Sequence, residues 1–129
     1  MGDGYKTIWS ATSRIKTKDW GSETEIGTLN TIKAKVICID AGKQTSLKYY
    51  NIKDEILFVQ SGKIFVEFDS EKYHLQDEPR PLKTMTLITG DVLYVQSMCP
   101  YRISAIEHSK IIEIGSGNNS EAIKIIRKT

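Results

Sequence analysis

A chain of 129 residues is one domain's worth, enough for a single hydrophobic core and too short for two of ordinary size. Eighteen Lys plus Arg against sixteen Asp plus Glu leave a net charge of +2, and the basic residues are scattered, so no phosphate-tracking nucleic-acid surface is expected. No apolar run has signal-peptide or membrane-spanning length, which makes the cytoplasm the expected compartment and leaves membranes out as partners.

Residues 1–18 read as an N-terminal extension or covering strand, with Ile8, Trp9 and Ile15 as its anchors, and residues 19–129 as the domain proper. From Asp19 a series of β-like runs begins. Ile32, Ala34, Val36 and Cys38 fall on one face of a strand, and Lys33, Lys35, Ile37 and Ile39 on the other. Asp40-Ala41-Gly42 is the turn out. In residues 55–60 Glu55, Leu57 and Val59 share a face, which buries a carboxylate that needs a cationic or hydrogen-bonding partner. Ser61-Gly62-Lys63 turns into a run where Ile64, Val66 and Phe68 share a face, and the two runs read as a hairpin.

Residues 69–84 are the most polar stretch and read as a short edge strand at 73–75 followed by a surface loop that exposes His74. Further strands are expected at 85–88, 91–95, 101–106 and 110–115, with His108 in a turn. The 115–119 segment breaks the sheet, and residues 121–128 close the chain as a last strand or short helix. Cys38 and Cys99 lie in strand-like segments without C-x-x-C spacing, as free thiols would. Many short strands with no amphipathic helix predict an all-β sandwich or barrel.

Two stretches carry spaced chemistry. In the first, Gly42 is followed after five residues by Lys48, then by Tyr50, after four more by Glu55 and after six more by Gly62. In the second, Gly90 is followed after five by Gln96, then by Met98, and after two more by Tyr101. These spacings resemble the two cupin motifs, G-x5-H-x-H-x(3–4)-E-x6-G and G-x5-P-x-G-x2-H-x3-N. The resemblance implies a single-domain cupin, a double-stranded β-helix or jelly-roll barrel.

Trp20-Gly21, Ser46-Leu47-Lys48-Tyr49-Tyr50, Gln60-Ser61-Gly62, Tyr94-Val95-Gln96, Tyr101-Arg102 and Ile112-Glu113-Ile114-Gly115-Ser116-Gly117 follow in the order seen in type II mannose-6-phosphate isomerases. They are similar too to the isomerase domain of mannose-1-phosphate guanylyltransferases. That family's metal ligands, Gln, His, Glu and His, align with Lys48, Tyr50, Glu55 and Tyr101, so only the Glu is kept. No metal and no other cofactor is expected, because Lys48 would bring a positive charge into the metal's volume. The P-x-G of the second motif is here Gln96-Ser97-Met98, which removes both residues that specify the turn.

The resemblance implies a ligand that is a sugar, sugar phosphate or nucleotide sugar, with Lys53 and Arg102 as cations suited to its anionic group. Lys48, Tyr50, Glu55 and Tyr101 are the catalytic candidates. They form either a buried plug, with Lys48 paired to Glu55, or a metal-free isomerase or epimerase site whose pKa values are pushed toward neutrality. A third reading is a non-catalytic, dimeric structural or regulatory cupin. Its homodimer would pair through apolar outer-face residues, for which Ile37, Ile39, Ile56 and Phe58 are the candidates.

Overall fold

Alternation of apolar and polar residues at period two sets the strands, because each face of a pleated strand meets a different environment. The computed structural model describes residues 4–75, 80–116 and 121–125. Its strands are β1 (Arg14–Lys18), β2 (Gly21–Leu29), β3 (Ile32–Ile39), β4 (Lys48–Tyr50), β5 (Glu55–Ser61), β6 (Lys63–Phe68), β7 (Lys83–Ile88), β8 (Val92–Val95), β9 (Tyr101–Ala105), β10 (Ser109–Ser116) and β11 (Ala122–Lys124). They form a six-stranded sheet in the order β1-β2-β3-β10-β5-β8 and a five-stranded sheet in the order β11-β4-β9-β6-β7. Every pairing is antiparallel.

The core lies between the sheets. Ile39, Leu57, Val59 and Ile111 from the first meet Ile64, Val66 and Ile103 from the second, all fully buried. Each such side chain contributes roughly 1.5–3 kcal/mol relative to an exposed position. Glu55, Leu57 and Val59 do share the inner face of β5, as their spacing predicts.

Three expectations are corrected. Residues 55–60 and 63–68 are no hairpin: β5 and β6 belong to different sheets, and the chain crosses the sandwich at Gly62. Alternation places Leu57 and Ile64 in one core but cannot say whether they bond edge to edge or face each other across it. The 85–88 and 91–95 strands likewise sit in opposite sheets, with the corner at Gly90. The stretch 73–75 is not an edge strand but part of a 3-10 turn, Glu71–Leu75, in which the Tyr73 amide donates to the Ser70 carbonyl. Upstream, Asp69 accepts from the Ser70 amide and from Arg80, which anchors the loop at both ends. The side chain of His74 and residues 117–120 and 126–129 lie outside the described residues. Residues 122–124 are strand, and His108 is exposed beside Asp40, just after the bend at 106–107.

The third correction concerns the outer face. Ile37 and Ile39 point into the core. The outward residues instead form two rungs across the six-stranded sheet: Val92, Phe58, Ile112 and Val36 in one, Tyr94, Ile56, Ile114 and Ala34 in the other. At the N-terminus, β1 is the sheet's edge strand and Ile15 is exposed, as are Ile8 and Trp9. Cys38 and Cys99 are free thiols.

Gly62 carries the sheet-to-sheet corner. Its φ is +102°, and a Cβ there would collide with Ser109 Oγ and lie 2.6 Å from the His108 carbonyl oxygen. Gly62→Ala is expected to lower the unfolding free energy by more than about 1 kcal/mol. Denaturant titration reads this as a lower midpoint at unchanged slope.

Candidate functional site

Period-two placement brings charge inside this sandwich. Glu55 lies in phase with Leu57 on β5, Glu113 in phase with Ile111 on β10, and Lys35 in phase with Ile37 on β3. A buried charge is tolerated only when paired and hydrogen-bonded. Lys53, from the loop before β5, supplies the central partner: its Nζ lies 3.1 Å from Glu113 Oε2 and 3.4 Å from Glu55 Oε2. Lys35 binds Glu23 of β2 and lies 3.9 Å from Glu113. The result is an alternating ladder, Glu23, Lys35, Glu113, Lys53, Glu55, ending where Tyr101 donates its hydroxyl to Glu55 Oε1 at 2.7 Å.

The stem of Lys53 reaches these carboxylates over Gly115, where any Cβ would collide with Lys53 Cε. Its ammonium also stands over the Tyr50 ring, 4.5 Å from the centroid. Lys48, the register partner of Tyr101, stands over the Tyr101 ring at 4.6 Å. No carboxylate pairs with Lys48 among the described residues. The expected Lys48–Glu55 ion pair is therefore replaced by Lys53–Glu55, because the loop lysine can cross the glycine and reach inward.

The ladder sets protonation. Burial, then the hydrogen bond and charge of Glu113, push Glu55 up to about 7 against the opposing pull of Lys53. Burial also works against ionised Glu113, but the hydrogen bond from Glu55 and the charges of Lys53 and Lys35 outweigh it and hold Glu113 low. Below about pH 7 the pair thus holds one proton, on the Glu55 side. As a carboxylate, Glu55 Oε2 has no hydrogen-bond donor; protonated, it donates to Glu113. Burial pushes Lys48 down despite the opposing charges of Glu55 and Glu113, while the Tyr101 ring face gives its ammonium a cation–π contact. Burial and the neighbouring carboxylates push Tyr50 and Tyr101 up, away from neutrality, so both phenols keep their protons, and Tyr101 donates its own to Glu55.

The cavity beside this ladder has a volume of ≈ 600 Å³ and is lined by Lys48, Tyr50, Lys53, Tyr101 and Glu113 together with Trp20 and Lys33. Glu55 stands behind that wall. Arg102 is elsewhere, in a bidentate pair with Glu67 at 2.9 Å, and the cavity lining does not include it. The residues do not fit a metal: at the four aligned positions only Glu55 offers a carboxylate, and Tyr101 and Lys53 already engage it. Among the described residues no group of three His, Cys, Asp or Glu could hold one. The turn at 96–98 survives without its Pro and Gly, since Met98 itself takes φ +71° while its amide donates to the Tyr50 carbonyl at 2.7 Å.

The residues that sequence reasoning missed are Glu113, Lys35 and Glu23. A signal existed for two of them: Glu113 is in phase with Ile111, and Lys35 with Ile37 and Ile39. Nothing local marks Glu23, a half-buried residue of β2 that pairs with Lys35 one step diagonally across the ladder.

Because the folded pKa of Glu55 lies above its ordinary value of 4.5, the folded state holds the extra proton between about pH 4.5 and 7. Its stabilisation is present on the acid side and is lost as pH rises through 7. Glu113, held low, contributes oppositely, and only below the ordinary carboxylate range. Glu55→Gln imitates the protonated carboxyl, so its stability is expected to stay level from pH 5 to 7.5 while the parent's falls. Lys53→Met leaves Glu113 without its nearest cation and is expected to cost about 3–5 kcal/mol. Denaturant titrations across that pH range check both.

No protein-family model matches the chain, and no curated protein sequence does. Solved structures do. CapF from Staphylococcus aureus superposes with a TM-score of 0.65 at 20% identity, over 85% of this chain and 30% of that one. KdgF from Halomonas sp. gives 0.66 at 16% identity, over 82% and 87%. A single-substitution variant of oxalate decarboxylase from B. subtilis gives 0.75 at 14% identity, over 94% and 34%. This chain therefore spans about a third of the CapF and oxalate decarboxylase chains and most of KdgF. No helix among the described residues is long and apolar enough to cross a membrane. Two antiparallel sheets in this order, superposing on these three proteins over most of its length, give the chain the cupin fold.

Proposed function

We propose that the protein binds an anionic carbohydrate, of the sugar phosphate or nucleotide sugar class, in the cavity beside the ion ladder, as a metal-free cupin resembling type II mannose-6-phosphate isomerase. The carrying observation is the cavity's charge: seven lysines and four carboxylates line it, and Lys33, Lys48 and Lys124 have no ion pair among the described residues. Its volume of ≈ 600 Å³ suits a small molecule. Trp20 and Tyr50 offer flat apolar surface beside these cations. CapF, a capsular polysaccharide assembling protein, supports the carbohydrate side of the reading.

A second reading, metal-free isomerisation, is favoured by the proton that Glu55 and Glu113 share, with Glu113 on the cavity wall. A carboxyl poised near 7 can give and take a proton at a sugar carbon. Lys53 holds the pair in place, and Tyr101 fixes the orientation of Glu55.

Isothermal titration tests binding. Mannose 6-phosphate is expected to bind and mannose to bind at least about tenfold more weakly, a gap of ~1.4 kcal/mol. Lys33→Glu with Lys124→Glu should remove that preference. Equal affinity for the neutral and phosphorylated sugars, or none for either, contradicts the reading.

The outer face of the six-stranded sheet completes the proposal with a homodimer. Ile56, Phe58, Val92, Tyr94 and Ile114 are each more than a third exposed and adjacent in register. A contiguous apolar patch of this kind marks an interaction surface. Sedimentation is expected to show a dimer that Phe58→Lys converts to monomer; a monomeric parent at high concentration rules it out.

A further inference from the structure

Lys35, Lys48 and Lys53 all line the cavity, and their surroundings divide them. Lys35 is bonded to Glu23, and Lys53 to Glu113 and Glu55. Lys48 has an aromatic ring below it and no carboxylate partner among the described residues. Its β11 register partner is another lysine, Lys124. An amine desolvated beside other cations is the setting in which lysine becomes a nucleophile.

We propose that Lys48 forms an imine with an open-chain aldehyde or ketone that carries an anionic group. The inference rests on the proposed anionic-carbohydrate reading for its substrate, and on the lysine's own surroundings for its nucleophile. The lone pair of Lys48 Nζ attacks the carbonyl carbon, and the carbonyl π pair moves to oxygen, which takes a proton from the attacking nitrogen. The carbinolamine hydroxyl then takes the proton shared by Glu55 and Glu113, through Glu113 on the cavity wall. Water leaves as the nitrogen lone pair closes the C=N bond. One amine, one carbonyl and one proton give one iminium and one water, and the carboxyl pair ends doubly ionised beside Lys53. The iminium acidifies the neighbouring C–H, the bond an isomerase must break.

Burial, ahead of the charge of Lys53, lowers the pKa of Lys48, while Glu55 and Glu113 oppose it. Each unit of lowering raises the neutral amine fraction near pH 7 about tenfold. Lys53 shares the cavity, but its ammonium is held by Glu113 at 3.1 Å and Glu55 at 3.4 Å, so access and nucleophilicity are separable within one molecule.

The full chain, at pH 7, is treated with D-glyceraldehyde 3-phosphate and sodium cyanoborohydride, which reduces the C=N bond to a stable secondary amine, and each lysine is followed by peptide mass spectrometry. Lys48 is expected to be modified at least about tenfold faster than exposed Lys43, and Lys35 and Lys53 more slowly than Lys43. Formaldehyde is the neutral second probe. Preferential reaction of Lys48 with formaldehyde alone upholds the nucleophile and overturns the anionic substrate. Lys48 reacting with both probes no faster than Lys43, or with neither, overturns the imine.

Discussion

The ammonium of Lys53 between Glu113 and Glu55 is the contact on which the interior depends. Two carboxylates buried in one β-sandwich must each find a cation, a donor or a proton. Lys53 supplies the cation, Tyr101 a donor and the pair itself the proton. With Glu55 protonated, the charges of Glu23, Lys35, Glu113 and Lys53 cancel along the ladder. The same arrangement explains why Gly115 has no side chain and why both phenols remain neutral.

The ladder also accounts for the metal motif's altered letters. In a metal-binding cupin the inner wall gathers neutral and anionic donors around a divalent cation. Here the cation comes from the chain, carries one charge and cannot accept a lone pair. What faces a ligand is a cavity of ≈ 600 Å³ lined by lysines, with Glu113 of the carboxyl pair on its wall. Such a site can bind and orient an anion and move a proton.

Much of the fold was legible because period-two alternation and motif spacing respond to the same pleat. Glu55, Leu57 and Val59 face inward as read, and the cupin fold expected from Gly42, Glu55, Gly62 and Gly90 is the fold found. Pairing was not legible. Gly62 looks like a hairpin turn in sequence, yet it joins strands on opposite sheets, since both arrangements put Leu57 and Ile64 in one core. Ile37 and Ile39 could not be told from Val36 and Cys38 as the inner set, because both faces of β3 are apolar at that end. In the site, spacing gathered Lys48, Tyr50, Glu55 and Tyr101 and paired Lys48 with Glu55, but could not foresee a loop lysine passing over Gly115 to take Glu55. The backbone of the altered turn held because Met98 accepts the left-handed conformation that a glycine would take freely.

The central claim is that one proton resides on a buried carboxyl pair held by Lys53. Carbon-13 NMR titration of the glutamate side-chain carboxyls measures this directly. The account predicts one carboxyl signal titrating near 7, absent in Glu55→Gln, and a second, from Glu113, still ionised below the ordinary carboxylate range. Every glutamate titrating at its ordinary value of 4.5 would contradict it.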